Sequence, residues 1–177
     1  MNLHGMRTEG PNLRKLTEKK GIKMKEMNLK TGDMAPDFSA PDQYGVNVKL
    51  SELKGKKVLL SFHPLAFTGV CKIQMETLEL KKKVFDELNT VALGISVDSQ
   101  YAKKAWAESI GVKETRLIAD FWPHGEVAKL YEQFIDKAGV SGRANILIDE
   151  SGKIKWIRRY DIPEVPDIEE VIKVIRG

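Results

Sequence analysis

The fold is decided by residues 58–75, which read VLLSFHPLAFTGVCKIQM. The first five are a short run of apolar side chains, typical of a central strand that is buried on both faces. Pro64 ends this strand, because proline has no amide hydrogen for a strand ladder. Beyond the loop, Cys71, Met75 and Leu78 follow helical spacing. The stretch therefore predicts a strand, a loop and a helix whose first turn holds Cys71.

Outward from this stretch, strand patterns alternate with helix patterns. The predicted elements are a short hairpin at 38–50, strands at 58–62, 91–97, 116–120, 145–149 and 153–159, and helices at 68–88, 99–110, 126–134 and 167–175. Buried strands that alternate with helices indicate an α/β fold, with a mixed central sheet and helices on both faces. A strand–helix–strand start with a late antiparallel hairpin and a closing helix predicts a thioredoxin-like fold.

The helix that follows the second buried strand has a cap and an apolar side. Ser99 is its predicted N-cap. The residues assigned to its apolar side are Ala102, Ala105, Trp106 and Ile110. We therefore expect Trp106 to lie in the core.

Composition excludes several classes of protein. The chain has 177 residues, of which 42% are hydrophobic and 31% charged, which suits one globular domain rather than a disordered chain. A single cysteine excludes an intrachain disulfide and a multi-cysteine zinc site. Apolar runs stay well short of the 18 or so residues that a membrane span needs.

The positive charge lies in one part of the chain. Residues 1–30 carry eight basic and three acidic side chains, whereas the remaining 147 carry 21 basic and 22 acidic ones. We divide the chain into a basic arm, residues 1–30, predicted to be flexible, and one thioredoxin-like domain, residues 31–177. A neutral body argues against nucleic acid as the main partner, although the arm could bind RNA or anionic lipid weakly. The first 30 residues lack the apolar stretch of a secretory signal, so cytoplasmic residence is expected.

The candidate site is centred on Cys71. The first turn of a helix has free amide hydrogens and the positive end of the helix dipole, and both favour an anionic sulfur. Thr68 precedes the cysteine by three residues, so its hydroxyl is expected to reach the same small volume. An alternative is that Thr68 is only the helix N-cap, and the two roles are compatible.

The pattern Pro-x-x-x-Thr-x-x-Cys at 64–71 resembles the active-site loop of the peroxiredoxins, the alkyl hydroperoxide reductase and thiol-specific antioxidant family. Three more landmarks follow the family's order. They are GDMAPDF at 32–38, SVDS at 96–99 followed by Trp106, and Arg143 just before the late hairpin. The resemblance implies a thioredoxin-like fold and a thiol-dependent peroxidase.

In that family chemistry, Cys71 would attack a peroxide oxygen and become a sulfenic acid. The resemblance implies that Thr68 and the nearby backbone hold the peroxide, that Arg143 polarises it, and that Pro64 shields the pocket. A polar residue is frequent at the position of Gln74. Because a more acidic thiol is also a weaker nucleophile, ionisation alone accelerates the reaction little, so Thr68 and Arg143 are expected to matter as much as the cysteine.

The lack of a second cysteine points to the 1-Cys type of peroxiredoxin. An external thiol must then reduce the sulfenic acid, and thioredoxin, glutaredoxin and small thiols all remain open. The resemblance also implies a homodimer. No cofactor is expected, and no metal, because three scattered histidines and one cysteine give no ligand spacing. The glycines at 139–142 are predicted to form a turn.

Other interpretations stay open at this stage. Cys71 could belong to a non-enzymatic redox module whose oxidation alters partner binding, or the protein could act through its basic arm. His63 could pair with Cys71 in a hydrolase, although packing at the strand end is favoured. Arg143 could be a surface charge. His124 is predicted to be a loop histidine with no partner.

Overall fold

The computed structural model describes residues 28–177. The predicted basic arm at 1–30 therefore lies outside the described residues, except for its last three positions. Leu29 is already buried in the core, and its amide donates to the Glu132 carboxylate at 3.0 Å. The packed body thus includes Leu29, two residues before the domain start predicted from sequence.

Nine strands and five α-helices follow one another in the described part. The strands are β1 (Ser39–Pro41), β2 (Asn47–Lys49), β3 (Lys57–Phe62), β4 (Thr90–Ser96), β5 (Arg116–Ala119), β6 (Phe134–Ile135), β7 (Val140–Ser141), β8 (Arg143–Ile148) and β9 (Ile154–Tyr160). The helices are α1 (Gly69–Leu80), α2 (Lys82–Glu87), α3 (Gln100–Ser109), α4 (Glu126–Leu130) and α5 (Ile168–Arg176), and a 3-10 turn spans Leu50–Leu53.

The central sheet has five strands in the order β5-β4-β3-β8-β9. β3, β4 and β5 are parallel, whereas β8 runs antiparallel to β3 and to β9. The prediction of a mixed sheet is confirmed. β3 is the central strand of the sheet. The loop that carries Pro64 begins at the carboxyl end of β3 and therefore lies at the middle of the sheet.

Two apolar layers cover the sheet, so the predicted helices on both faces are confirmed. One layer packs α1, α2, α3 and α5 against side chains such as Leu59 and Leu147. The other packs α4 and the β1–β2 hairpin against side chains such as Leu60 and Ile146. Gly94 in β4 allows the first layer to approach closely, since a Cβ there would stand 2.3 Å from the sulfur of Met75.

The sequence prediction was partly wrong between residues 126 and 142. The predicted helix at 126–134 ends at Leu130, because Glu132 adopts a left-handed φ of 57° that a helix cannot continue through. Phe134 instead begins β6, which pairs with β7, so the predicted turn at 139–142 contains a strand.

The predicted helix at 68–88 is two helices, with the break at Lys81.

Candidate active site

Cys71 is the third residue of α1 and lies just beyond the carboxyl end of β3. Its side chain is 1% exposed and belongs to the apolar layer with Met75 and Leu78. The predicted position in the first helical turn is confirmed. An anionic sulfur there faces the free amides and the dipole of the helix, while the apolar layer keeps water away from it.

Arg143 reaches this sulfur from the first position of β8. Its Nη2 lies 3.4 Å from the Cys71 Sγ, although 72 residues separate the two in sequence. The arginine is 2% exposed, so the alternative of a surface charge is wrong. Its Nε and Nη2 also donate to the Ile162 carbonyl at 3.0 and 2.8 Å. Among these contacts only the sulfur can become anionic.

Gln74 fixes the remaining edge of the guanidinium. Its Oε1 accepts a short hydrogen bond from Arg143 Nη1. Its Nε2 donates to the Ser61 hydroxyl at 2.8 Å and to the Phe62 carbonyl at 3.2 Å, both on β3. The amide therefore cannot rotate without losing these bonds. Gln74 thus anchors Arg143 to the central strand through Nη1, while Nη2 donates to the Cys71 sulfur.

The loop between β3 and α1 is tied to the end of β4. Asp98 accepts from the Ala66 amide at 2.8 Å and from the Ser96 hydroxyl at 2.5 Å. Pro64 is buried in this loop. Phe67 is exposed and has a left-handed φ of 60°, which turns the chain into the helix. The aspartate therefore fixes the loop that covers the sulfur.

Thr68 occupies the N-cap position of α1, but its side chain does not cap the helix. The hydroxyl donates instead to the Leu65 carbonyl at 2.9 Å, which closes a turn of the loop. The cap interaction expected from sequence is therefore absent between these described residues. Thr68 is exposed, and its hydroxyl oxygen keeps lone pairs that can accept further hydrogen bonds.

His63 and Lys103 form a buried pair beneath the same loop. Lys103 Nζ lies 3.0 Å from His63 Nε2, and both side chains are fully buried. The His63 ring packs 5.2 Å from the ring of Trp106, as the packing alternative predicted. Burial is the main cause that lowers the pKa of His63 well below its usual range, and the charges of Lys103 and Arg143 lower it further.

The sequence analysis did not single out Lys103. The predicted apolar side of α3 was partly wrong, since Ala105 is exposed and the buried positions are Lys103, Trp106 and Ala107. Ser99 does cap this helix, accepting from the Ala102 amide at 3.3 Å. A lysine three residues before a buried tryptophan was the available signal, because positions i and i+3 share a helix face.

The other candidates lie apart from this cluster. His124 is not unpartnered, because its Nε2 lies 2.7 Å from the Gly139 carbonyl and its ring meets Phe134 edge-on. Within residues 28–177, no group of three or more His, Cys, Asp or Glu side chains could hold a metal ion. In the same range, no helix is both long and apolar enough to cross a bilayer.

A buried thiol at a helix start, bound by a guanidinium from a distant strand, is the arrangement that the resemblance implied. The sequence matches the AhpC/TSA family over residues 31–157. The chain belongs to the AhpC/TSA family. It is a peroxiredoxin, an oxidoreductase with peroxidase function, as its relatives' names indicate.

Individual relatives agree with this assignment. Alkyl hydroperoxide reductase E of Mycobacterium tuberculosis is 39% identical over 140 residues, which cover 78% of this chain and 91% of the relative. The mitochondrial thioredoxin-dependent peroxide reductase of Drosophila melanogaster is 30% identical over 152 residues, or 81% of this chain and 64% of the relative. The reduced 2-Cys peroxiredoxin of Plasmodium vivax superposes with a TM-score of 0.76 at 30% identity, covering 84% of this peroxiredoxin and 81% of that chain.

Proposed function

We propose that Cys71 reduces hydrogen peroxide and small organic hydroperoxides. Its thiolate attacks the terminal peroxide oxygen, so an S–O bond forms while the O–O bond breaks. The products are the sulfenic acid of Cys71 and an alkoxide or hydroxide, which takes up a proton and leaves as alcohol or water. The observation that carries this proposal is the 3.4 Å contact between Arg143 Nη2 and the Cys71 sulfur.

Each neighbouring residue has a part in this step. Arg143 stabilises the thiolate and the charge that develops on the peroxide oxygens, because a fixed cation in a dry site acts without reorganisation. Thr68 hydrogen-bonds the peroxide from the exposed side, which requires a small change from its present bond to Leu65. Pro64 is buried beside the site and keeps water from the reacting sulfur.

Recycling is proposed to follow the 1-Cys route. The chain has one cysteine, so the sulfenic acid cannot form a disulfide within its own chain. An external thiol attacks the sulfenic sulfur, so a mixed disulfide with Cys71 forms and water leaves. A second thiol then attacks the reductant's sulfur in that disulfide, which restores the Cys71 thiol and leaves the reductant as a disulfide. Thioredoxin, glutaredoxin and small thiols are the candidate reductants, and all of them suit a reducing compartment such as the cytoplasm.

The recycling experiment compares three thiol supplies with the wild-type protein. Peroxide consumption is followed with glutathione plus glutaredoxin, with the thioredoxin system, and with dithiothreitol. We expect many turnovers with at least one supply and a single stoichiometric oxidation without any. Stoichiometric oxidation under all three supplies would contradict the peroxidase cycle and would favour a redox module that signals through Cys71.

We also propose a homodimer whose interface lies beside the active-site loop. Phe67, Tyr101, Phe121 and Trp122 are large exposed side chains. They follow β3, β4 and β5, whose carboxyl ends share one sheet edge because these strands are parallel. Large exposed apolar side chains at one side of a sheet are candidates for a protein interface, and a second copy would cover them.

Sedimentation of surface variants tests the dimer. Trp122 is 84% exposed at the proposed interface, and Leu80 is 82% exposed at the far end of α1. We expect the Trp122→Arg variant to sediment as a monomer at micromolar concentration, while the Leu80→Arg variant stays dimeric like the wild type. A wild-type protein that is monomeric at that concentration would overturn the proposal.

A further inference from the structure

Lys103 is a buried lysine without a direct acidic partner. It is 0% exposed on the inner face of α3. Among the described residues it forms no ion pair within 4 Å, and its one side-chain hydrogen bond is to the ring of His63. Lysines are almost never fully buried unless they are paired, because removing an ammonium group from water is costly. Packing alone does not account for this residue.

The two acidic side chains whose charges act on Lys103 are Asp98 and Asp120, and both accept hydrogen bonds from other groups. Asp98, after β4, accepts from the loop and from Ser96. Asp120, after β5, accepts from the Val127 and Ala128 amides at the start of α4, at 2.9 and 2.8 Å. Lys103 therefore acts on its surroundings by charge across a dry interior rather than by direct ion pairing.

His63 holds Lys103 in place through its ring nitrogen Nε2. Because its pKa lies well below the usual range, the ring is neutral and its Nε2 accepts from the Lys103 ammonium. The ring proton is then on Nδ1, which is buried and makes no well-formed hydrogen bond, only a weaker one with the Leu65 backbone. A buried donor with so weak a partner adds little to stability, so a gain in folding free energy does not explain the His63–Lys103 pair.

Two cations of residues 28–177 are buried next to the active-site loop. Arg143 touches Cys71 from β8. Lys103 lies on the buried side of α3, whose Trp106 and Ala107 pack in the same apolar layer as Cys71. Burial is the main cause that lowers the pKa of Lys103 to about 7, while the negative charges of Asp98, Cys71 and Asp120 act in the opposite direction. Lys103 therefore changes charge close to neutral pH, and the charge on the sulfur influences when it does.

We propose that Lys103, held by His63, is a positioning residue of the peroxidase reaction that stabilises the Cys71 thiolate by its charge and releases a proton when that charge disappears. This inference rests on the proposed function of Cys71. Attack turns an anionic sulfur into a neutral sulfenic acid, which removes one of the charges that keep Lys103 protonated. The departing alkoxide or hydroxide needs one proton at the same moment, so the proton count of the step balances within the protein.

The first test compares two neighbouring lysines of α3. Lys103→Met removes the buried charge with little change in shape, and Lys104→Met removes an exposed charge from the same helix. The second-order rate of Cys71 oxidation by hydrogen peroxide is measured by stopped-flow tryptophan fluorescence between pH 5 and pH 9. Lys103 is charged below about pH 7 and neutral above it, so its contribution is lost as the pH rises through that value.

At pH 6 we expect Lys103→Met to react about tenfold more slowly than the wild type, the effect of one charge in a partly dry site. Above about pH 7 the wild-type rate should fall toward that of Lys103→Met, because Lys103 is then neutral. The Lys103→Met rate should show no such change at this pH. Lys104→Met should match the wild type throughout. A Lys103→Met variant with the wild-type rate and pH profile would overturn the inference.

The second test needs no activity. In protein carrying ¹³C-labelled lysine, the Lys103 Cε signal is titrated in the reduced wild type and in Cys71→Ser. We expect a lower midpoint in Cys71→Ser, because the anionic sulfur that favours the ammonium is gone. Equal midpoints would overturn the inference even if Lys103→Met failed to fold. A wild type that does not react with peroxide would instead contradict the proposed function, and the NMR comparison would still stand.

Discussion

The Cys71→Ser variant is expected to consume no peroxide above the rate of buffer, under any thiol supply. A serine hydroxyl is almost fully protonated near neutral pH and, unlike a thiolate, does not attack a peroxide oxygen. Serine is close in size to cysteine, so the apolar layer around position 71 should remain intact. Peroxide loss is followed by an electrode or by a colorimetric assay, with wild-type protein in parallel.

The control for this variant is folding. Far-ultraviolet circular dichroism and the thermal midpoint should stay near the wild-type values, since one buried sulfur is exchanged for one oxygen. Met34 is more than half exposed and can react slowly with peroxide, so a Met34→Leu protein sets the background. Turnover in Cys71→Ser equal to that of the wild type would remove Cys71 from the mechanism.

The Arg143→Gln variant is expected to react with hydrogen peroxide about 100- to 1000-fold more slowly, the range seen when one preorganised donor is removed from a reacting centre. The substitution removes the cation that touches the sulfur. It also leaves Gln74 Oε1 and the Ile162 carbonyl without their donor, so the protein should lose about 1–3 kcal/mol of unfolding free energy. Stopped-flow fluorescence gives the rate, and urea unfolding gives the stability.

Arg159 is the matched control for charge. It stands on β9 opposite Ala144, one position along from Arg143, and it is exposed with Glu132 as its ion-pair partner. Arg159→Gln changes the net charge by the same amount and should alter the oxidation rate less than about twofold, as expected for an exposed pair. Equal losses in the two variants would show that general charge, rather than the contact with Cys71, sets the rate.

The sequence was informative where a pattern is local. The apolar run at 58–62 and the spacing of Cys71, Met75 and Leu78 predicted β3, the loop and α1 because those signals lie within a few residues of each other. The late hairpin was also predicted correctly, since a short turn joins its two strands. Such features need no knowledge of distant contacts.

The features that depend on distant contacts could not be predicted in the same way. The resemblance implied Arg143, but only the sheet order brings β8 beside β3 and places the guanidinium at the sulfur. Lys103 was missed because a charged side chain argues for exposure, and only its neighbours His63 and Trp106 show that it faces inward. The strand at Phe134 was missed because the left-handed residue before it gives no clear signal in the sequence.

The most direct measurement is intact-protein and peptide mass spectrometry after one equivalent of hydrogen peroxide, with dimedone present to trap sulfenic acid. We expect one dimedone adduct per chain, located on the peptide that contains Cys71. Arg143→Gln should form this adduct far more slowly under the same conditions. Rapid peroxide consumption by the wild type with no adduct at Cys71, or with oxidation confined to methionine, would contradict the account.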